Sequence, residues 1–275
     1  LEVAGEVVEV KGSTTDGTHW QVGDKVCALT HGGAYAEYVW VDARHCLPVP
    51  DGWSMENAAA LPETLFTVWL NVFDRAQLGL YRASETLLVH AGASGIGAAA
   101  TQVAKALGHH VVVTLRQMNK ADFCRSMGAD EAVLLDDAWV DTVLDKTAGH
   151  GADVILDMLG ASTAVGNMKV IARRGRIAWI AFLTGSKMEL KVHEIMGKEA
   201  VLTGAFLRPQ TADTKAHIAQ NLRERVWPQI NAGKIVSSVD RIFAFEQVRE
   251  AHAVMESNQH SGKLVLSWFT NGTSK

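Results

Sequence analysis

Apolar positions change their period near Asn57. Before it the pattern is one of short strands. Val3–Val10 alternates and ends at Gly12, a Gly23-Asp24 turn leads into Lys25–Leu29, and Ala34–Val41 follows a Gly32-Gly33 turn. From there Asn57–Leu61 and Thr64–Gln77 carry helical spacing, broken at Pro62. Strands then alternate with helices. The predicted strands are Thr86–Val89, His110–Thr114, Ala132–Leu135, Val154–Leu156 and Arg176–Phe182, with Ala200–Phe206 as a sixth. The helices between them are Lys120–Met127 (closed by Gly128), Trp139–Thr147 and Ser162–Ile171 (closing at Gly175), besides the one after the first strand. That alternation predicts a parallel, doubly wound sheet with right-handed crossovers. The tail reads as a long helix, Thr211–Gln229, a strand-like Ile235–Ile242, a helix Phe245–Glu256 and a strand Lys263–Trp268. No internal repeat or low-complexity stretch interrupts the pattern.

The most informative stretch is Leu87–Gly108, LLVHAGASGIGAAATQVAKALG. An apolar run enters a glycine-rich turn and leaves as a helix, with Ile96, Ala99, Ala100, Val103, Ala104 and Leu107 on one face and Gly108 as the stop. A helix N-terminus aims its free N–H groups at such a turn, which suits a pyrophosphate. The fingerprint G-x-G-x-x-G reads Gly92-Ala93-Ser94-Gly95-Ile96-Gly97, with Ser94 at the second glycine. Ser94 is read as a small residue whose hydroxyl and N–H meet a phosphate; the nucleophile elbow G-x-S-x-G would need glycine at Ile96.

Composition narrows the class. The chain has 275 residues, 48% hydrophobic and 20% charged, enough for about two domains with a sizeable core. A net charge of −4 and a pI near 6.3 argue against nucleic-acid or membrane-surface partners. There is no apolar run of membrane-spanning length and no signal peptide. Cys27, Cys46 and Cys124 lie far apart and read as reduced thiols in a cytoplasmic protein. The sequon at Asn271-Gly272-Thr273 is expected to be chance. Leu1 opens mid-strand, so the natural domain is expected to begin upstream.

Dinucleotide sites that take NAD place an acid about 20 residues beyond the glycine turn. Here that region, Thr114–Lys120, has no acid and two cations. Arg116 at the strand tip and Lys120 in the next helix can both reach a 2′-phosphate, the guanidinium as a fork and the ammonium as a point charge. The alternative is two solvated surface cations. No cysteine pair has zinc spacing, and His109-His110 point to opposite faces of a strand, so metal is not expected. Asp157 reads as a residue bonding local backbone rather than a triad acid. His31, Tyr35 and Tyr38 are read equally as cleft-lining or packing residues.

Several stretches together resemble one family. These are Leu1–Val7, Val22–Val26, Gly33–Val39, Ala58–Pro62, His90–Gln102, Asp153–Gly160 and Ser261–Leu266. Taken in this order the chain resembles the zinc-independent quinone oxidoreductases of the medium-chain dehydrogenase/reductase superfamily, close to the NADPH:quinone reductase and zeta-crystallin branches. The resemblance implies an α/β fold with a Rossmann NADPH-binding domain over 65–204. A GroES-like β-rich domain, truncated at its N-terminus, would be built from 1–64 and 205–275. Positions matching the family's NADPH contacts are Thr67, Ser94, Gly95, Ile96, Gly97, Arg116, Lys120, Phe182, Leu183, Phe206, Leu207 and Asn258, with Gly92 from the fingerprint. In the zinc alcohol dehydrogenases a metal-binding histidine precedes the glutamate matching Glu2; here that place is Leu1.

Two departures stand out: Arg116 where the family often has glycine, and Leu135 where it has an adenine-stacking tyrosine. The family's opening segment, which carries substrate-side Asn, Asp and Tyr residues, is missing. The implied activity is NADPH-dependent hydride transfer to a quinone or similar conjugated carbonyl, by a homodimer paired through the edge near Ala200–Phe206. An enoyl or alkenal reductase on the same fold, or an NADPH-binding protein without turnover, are the alternatives.

Overall fold

In the computed structural model, which describes residues 1–12 and 19–268, the chain divides into two units. One comprises Leu1–Phe66 with Arg208–Lys275, the other Thr67–Leu207. The sequon at Asn271 lies outside the described residues.

The first unit opens with β1 (Glu2–Glu6), paired antiparallel to β2 (Lys25–Leu29), which pairs in turn with β3 (Cys46–Pro48). Val26, Ala28 and Cys46 form one packed face, covered by Val3, Val7, Trp20 and Val41. Burial raises the Cys27 and Cys46 thiols, the latter to about 12, so neither is a ready nucleophile. The expected strand over Ala34–Val41 does not form: this stretch is irregular, and Tyr38 and Trp40 are 75% and 86% exposed. Ser54 caps α1 (Met55–Ala59) by accepting the Asn57 N–H at 3.2 Å. Next, α2 (Pro62–Val68) starts on Pro62, whose missing N–H costs nothing in a first turn. It continues as a widened π-type turn over Trp69–Arg75.

The second unit is built on six parallel strands. They are β4 (Thr86–Val89), β5 (His110–Leu115), β6 (Glu131–Leu134), β7 (Ala152–Asp157), β8 (Ile171–Trp179) and β9 (Val201–Gly204), in the spatial order β6-β5-β4-β7-β8-β9. That is the doubly wound dinucleotide-binding order, with its switch point between β4 and β7. The connecting helices are α3 (Gly95–Ala106), α4 (Ala121–Ser126), α5 (Trp139–Lys146), α6 (Ala161–Val170) and α7 (Val192–Lys198). Leu88, Val112, Ile155 and Ile177 on the strands pack with Trp139, Val143 and Met168 from the helices. Gly175 does not close a helix: α6 stops at Val170 and β8 begins at once. Ile171 faces Ala152 and Arg176 faces Val154, so the residues between bulge out, with Arg174 at φ 62°. Beneath the sheet, Arg176 donates to Glu85 at 2.6 Å and to the carbonyls of Ala76 and Gln77, with both charges almost fully buried.

Back in the first unit, the predicted single helix over Thr211–Gln229 is broken into α8 (Ala212–Asn221), a π-type turn Leu222–Val226 and α9 (Trp227–Asn231). Pro228 is the physical reason: its ring cannot sit against the carbonyl four residues back in a regular helix. The unit ends with β10 (Val239–Ala244), α10 (Val248–Ser257) and β11 (Lys263–Ser267), the two strands pairing in parallel. Lys263 pairs with Glu2, whose other carboxylate oxygen accepts the Glu63 N–H at 2.8 Å.

Candidate functional site

The carboxyl ends of parallel strands are where a doubly wound sheet gathers its loops. After Val89 the chain turns through Ala91, an alanine at φ 53°, a left-handed conformation that side chains usually avoid. The turn is fixed on both sides: His90 N–H donates to Leu156 O at 3.1 Å on β7, and Gly92 N–H to Thr114 O at 3.0 Å on β5. Ser94 N–H returns to Ala91 O at 2.9 Å.

The glycines here are demanded by packing. A Cβ on Gly92 would lie 2.4 Å from the Val113 side chain, and one on Gly97 would lie 2.5 Å from the carbonyl oxygens of Ala91 and Gly92. Ser94 caps α3, its Oγ accepting the Gly97 N–H at 3.0 Å and reaching Met158 Sδ at 3.6 Å. The N–H groups of Gly95 and Ile96 are thus the open donors of the first turn. Ser94, Gly95 and Ile96 are half-buried, while Gly92, Ala93 and Gly97 are buried. The result is an accessible, electropositive helix end in an otherwise closed turn.

Beside it, Arg116 is exposed just past β5 and forms no ion pair with the described residues, and Lys120 is half-buried ahead of α4. The Asp157–Gly160 turn after β7 is stitched to the loop after β8. Leu183 N–H donates to Met158 O at 3.2 Å, and Thr184 N–H and Oγ donate to Leu159 O. Phe182 and Leu183 are exposed on that loop, and Phe182 meets Phe206 edge-on at 6.4 Å. Asn71, in the widened turn after α2, donates to Thr67 O and Ala205 O and accepts the Ala205 N–H at 2.9 Å. One buried amide therefore holds Thr67 beside the segment that carries Phe206 and buried Leu207.

The second unit thus brings together at one sheet edge twelve of the thirteen positions singled out from sequence: Thr67, Gly92, Ser94, Gly95, Ile96, Gly97, Arg116, Lys120, Phe182, Leu183, Phe206 and Leu207. Asn258 belongs to the other unit, as the left-handed C-cap of α10. Tyr35 and Tyr38 are exposed there too, Tyr35 bonding His252 Nε2 at 3.0 Å. Leu135 is half-buried and packs on the sheet's core.

Sequence reasoning missed Asn71, His90, Thr163 and Asn167. Asp157 accepts from Leu159 N–H, Gly160 N–H, Thr163 Oγ and Asn167 Nδ2 at 2.6–3.0 Å, and Asn167 in turn meets His90. Burial lowers the His90 imidazole, opposed by the Asp157 charge and the bond to Asn167. Among the described residues no group of three His, Cys, Asp or Glu could hold a metal ion. No helix among them is long and apolar enough to cross a membrane.

Residues 1–51 match the family described as alcohol dehydrogenase GroES-like domain, and residues 95–223 that described as zinc-binding dehydrogenase. A mycobacterial protein solved in complex with NADPH superposes with a TM-score of 0.80 at 29% identity, over 96% of this chain and 81% of that one. A quinone oxidoreductase of Pseudomonas syringae gives a TM-score of 0.77 at 26% identity, over 96% of this chain and 80% of that one. The synaptic vesicle membrane protein VAT-1 homolog of Danio rerio is 26% identical over 97% of this chain. The chain spans 57% of that relative's length.

Proposed function

We propose that this chain, which belongs to the medium-chain dehydrogenase/reductase superfamily, binds NADPH at the carboxyl edge of its parallel sheet and reduces a quinone or similarly conjugated carbonyl. The observation that carries the reading is the open N-terminus of α3 at the switch point of the sheet, with the Arg116 guanidinium, which forms no ion pair among the described residues, one strand away. The Gly95 and Ile96 N–H groups bind the pyrophosphate, with Ser94 capping the helix beside them and the positive helix end complementing its charge. Arg116 grips the 2′-phosphate as a fork and Lys120 adds charge, so NADPH is preferred over NADH. Thr67, Phe182, Leu183, Phe206 and Leu207 orient the nicotinamide end and exclude water. When bound, the cofactor supplies the hydride.

Quinones accept hydride readily, so the protein's work is placement. The side chains present do not fit the zinc implied by the matched dehydrogenase family, because no cluster of ligands exists among the described residues. The NADPH-bound mycobacterial structure and the Pseudomonas quinone oxidoreductase support this reading. The working form is a cytoplasmic homodimer joined at the edge strand β9, where Val201 is 49% exposed, as are Val192 at 67% and Met196 at 72% on α7.

Oxidation of NADPH, followed with and without a simple quinone, tests the activity. Quinone-dependent oxidation is expected. Binding of NADPH without quinone-dependent oxidation overturns the assignment as a quinone reductase.

A further inference from the structure

The side chain that starts the glycine turn is part of a buried relay that the proposed binding chemistry does not use. His90, Thr114, Asn167 and Asp157 are wholly buried, and Thr163 is 1% exposed. The relay has a fixed direction. Asp157 accepts four donors, two backbone N–H groups on one oxygen and the Thr163 hydroxyl and Asn167 amide nitrogen on the other. With its Nδ2 turned to Asp157, Asn167 presents Oδ1 to His90 Nε2 at 2.7 Å, so that nitrogen carries the proton. The other ring nitrogen, Nδ1, is left with a lone pair, which takes the Thr114 hydroxyl at 2.8 Å. Trp139 closes the ring's environment edge-on, 5.3 Å between centroids.

These bonds brace three strand ends. His90 leaves β4 into the turn, Thr114 stands two residues before Arg116 on β5, and Asp157 ends β7. We propose that His90, held as its neutral Nε2–H tautomer, is a positioning residue that sets the spacing between the glycine turn and Arg116. It thereby tunes the preference for a 2′-phosphorylated dinucleotide. The relay duplicates with side chains the backbone bonds from His90 to Leu156 and from Gly92 to Thr114, so it acts on registry and not on contact with ligand. The inference rests on the NADPH reading proposed above.

The test compares NADPH and NADH affinities, each below the variant's own unfolding temperature, for the wild type, His90→Phe, Arg116→Ala and the double variant. His90→Phe keeps a flat aromatic ring, somewhat larger, and removes both hydrogen bonds. NADPH binding by His90→Phe is expected to weaken about tenfold, through displaced phosphate donors, with a smaller change for NADH. In the Arg116→Ala background the NADPH-specific part of that loss is expected to vanish. A folded His90→Phe with the wild-type NADPH/NADH ratio overturns the inference, as does a ratio change that persists without Arg116. If His90→Phe fails to fold, His90→Asn replaces it, keeping an acceptor for Thr114 on a side chain too short to carry a donor to Asn167, with the same outcomes deciding. A wild type that binds no NADPH overturns the parent reading and this one together; binding with an unmoved ratio overturns this one alone.

Discussion

Two glycine-to-alanine changes in helices should have opposite signs, and the structure says why. At Gly97, an added Cβ meets the Ala91 and Gly92 carbonyl oxygens at 2.5 Å and the Gly92 carbonyl carbon at 2.7 Å, all backbone atoms that no rotamer change can clear. Ordinary carbon–oxygen approach is about 3.3–3.6 Å, so α3 and the turn must separate by about 1 Å. Forcing such an overpacked contact against backbone atoms costs about 2–3 kcal/mol, the upper part of the usual range, against a gain of about 1 kcal/mol from alanine's helix propensity, a net loss of about 1–2 kcal/mol. At Gly197, also in a helix, the same Cβ meets nothing within 4 Å, and only the propensity gain remains. At about 2–4 °C per kcal/mol for a chain of this size, Gly97→Ala should melt several degrees below the wild type and Gly197→Ala slightly above it. Circular dichroism melts read this directly. Fluorescence titration with NADPH should show about a tenfold loss for Gly97→Ala, because a shift of 1 Å moves the phosphate donors, and none for Gly197→Ala. A Gly97→Ala protein that melts at or above the wild type and binds NADPH equally would refute the close packing of helix on turn.

Other consequences follow from single observations. Arg116→Ala should weaken NADPH far more than NADH in parallel titrations; an unchanged ratio removes Arg116 from the 2′-phosphate. Arg176→Met strands the Glu85 carboxylate in the core and should cost about 3–5 kcal/mol in denaturant unfolding, with Glu85→Gln in the same chain recovering part of it. At Ala91, glycine should be neutral or stabilising by up to about 1 kcal/mol, while valine at φ 53° should destabilise, as thermal melts will report. Burial lowers His90 below its ordinary value, so the folded state binds fewer protons there than the unfolded chain. That stability is intact above about pH 6.5 and is lost as the pH falls towards the folded value. His45 is lowered by burial too, so the comparison must be with a His90 variant: His90→Phe should flatten the fall in melting temperature between neutral and mildly acidic pH.

The parallel sheet was legible because its strands are buried on both faces. Leu87–Val89, Val111–Val113 and Val154–Leu156 are unbroken apolar runs, and glycines punctuate the helices between them. The glycine turn between β4 and α3 was legible for the same reason, since a turn between a buried strand and a helix admits few residue types. The antiparallel unit was harder. Ala34–Val41 has strand-like residues but forms no ladder, and alternation alone does not supply a partner. The three-residue strand Cys46–Pro48 exists only because β2 lies beside it, which no local pattern encodes. Gly175 looked like a helix stop and instead sits in a bulge, its Cβ position 2.3 Å from Ile171. The relay through His90 and the Asn71 clamp join residues distant in sequence, His90 to Asn167 across 77 positions and Asn71 to Ala205 across 134. A buried histidine or asparagine in sequence gives no hint of which strand end it will tie.

The claim on which the rest depends is that the open end of α3, flanked by Arg116, is a phosphate site for NADPH. Isothermal titration of the wild-type chain with NADPH, and separately with NADH, measures it most directly. One saturable site per chain is expected for NADPH, with clearly weaker binding of NADH. No binding of either nucleotide, or equal affinity for both, would contradict it.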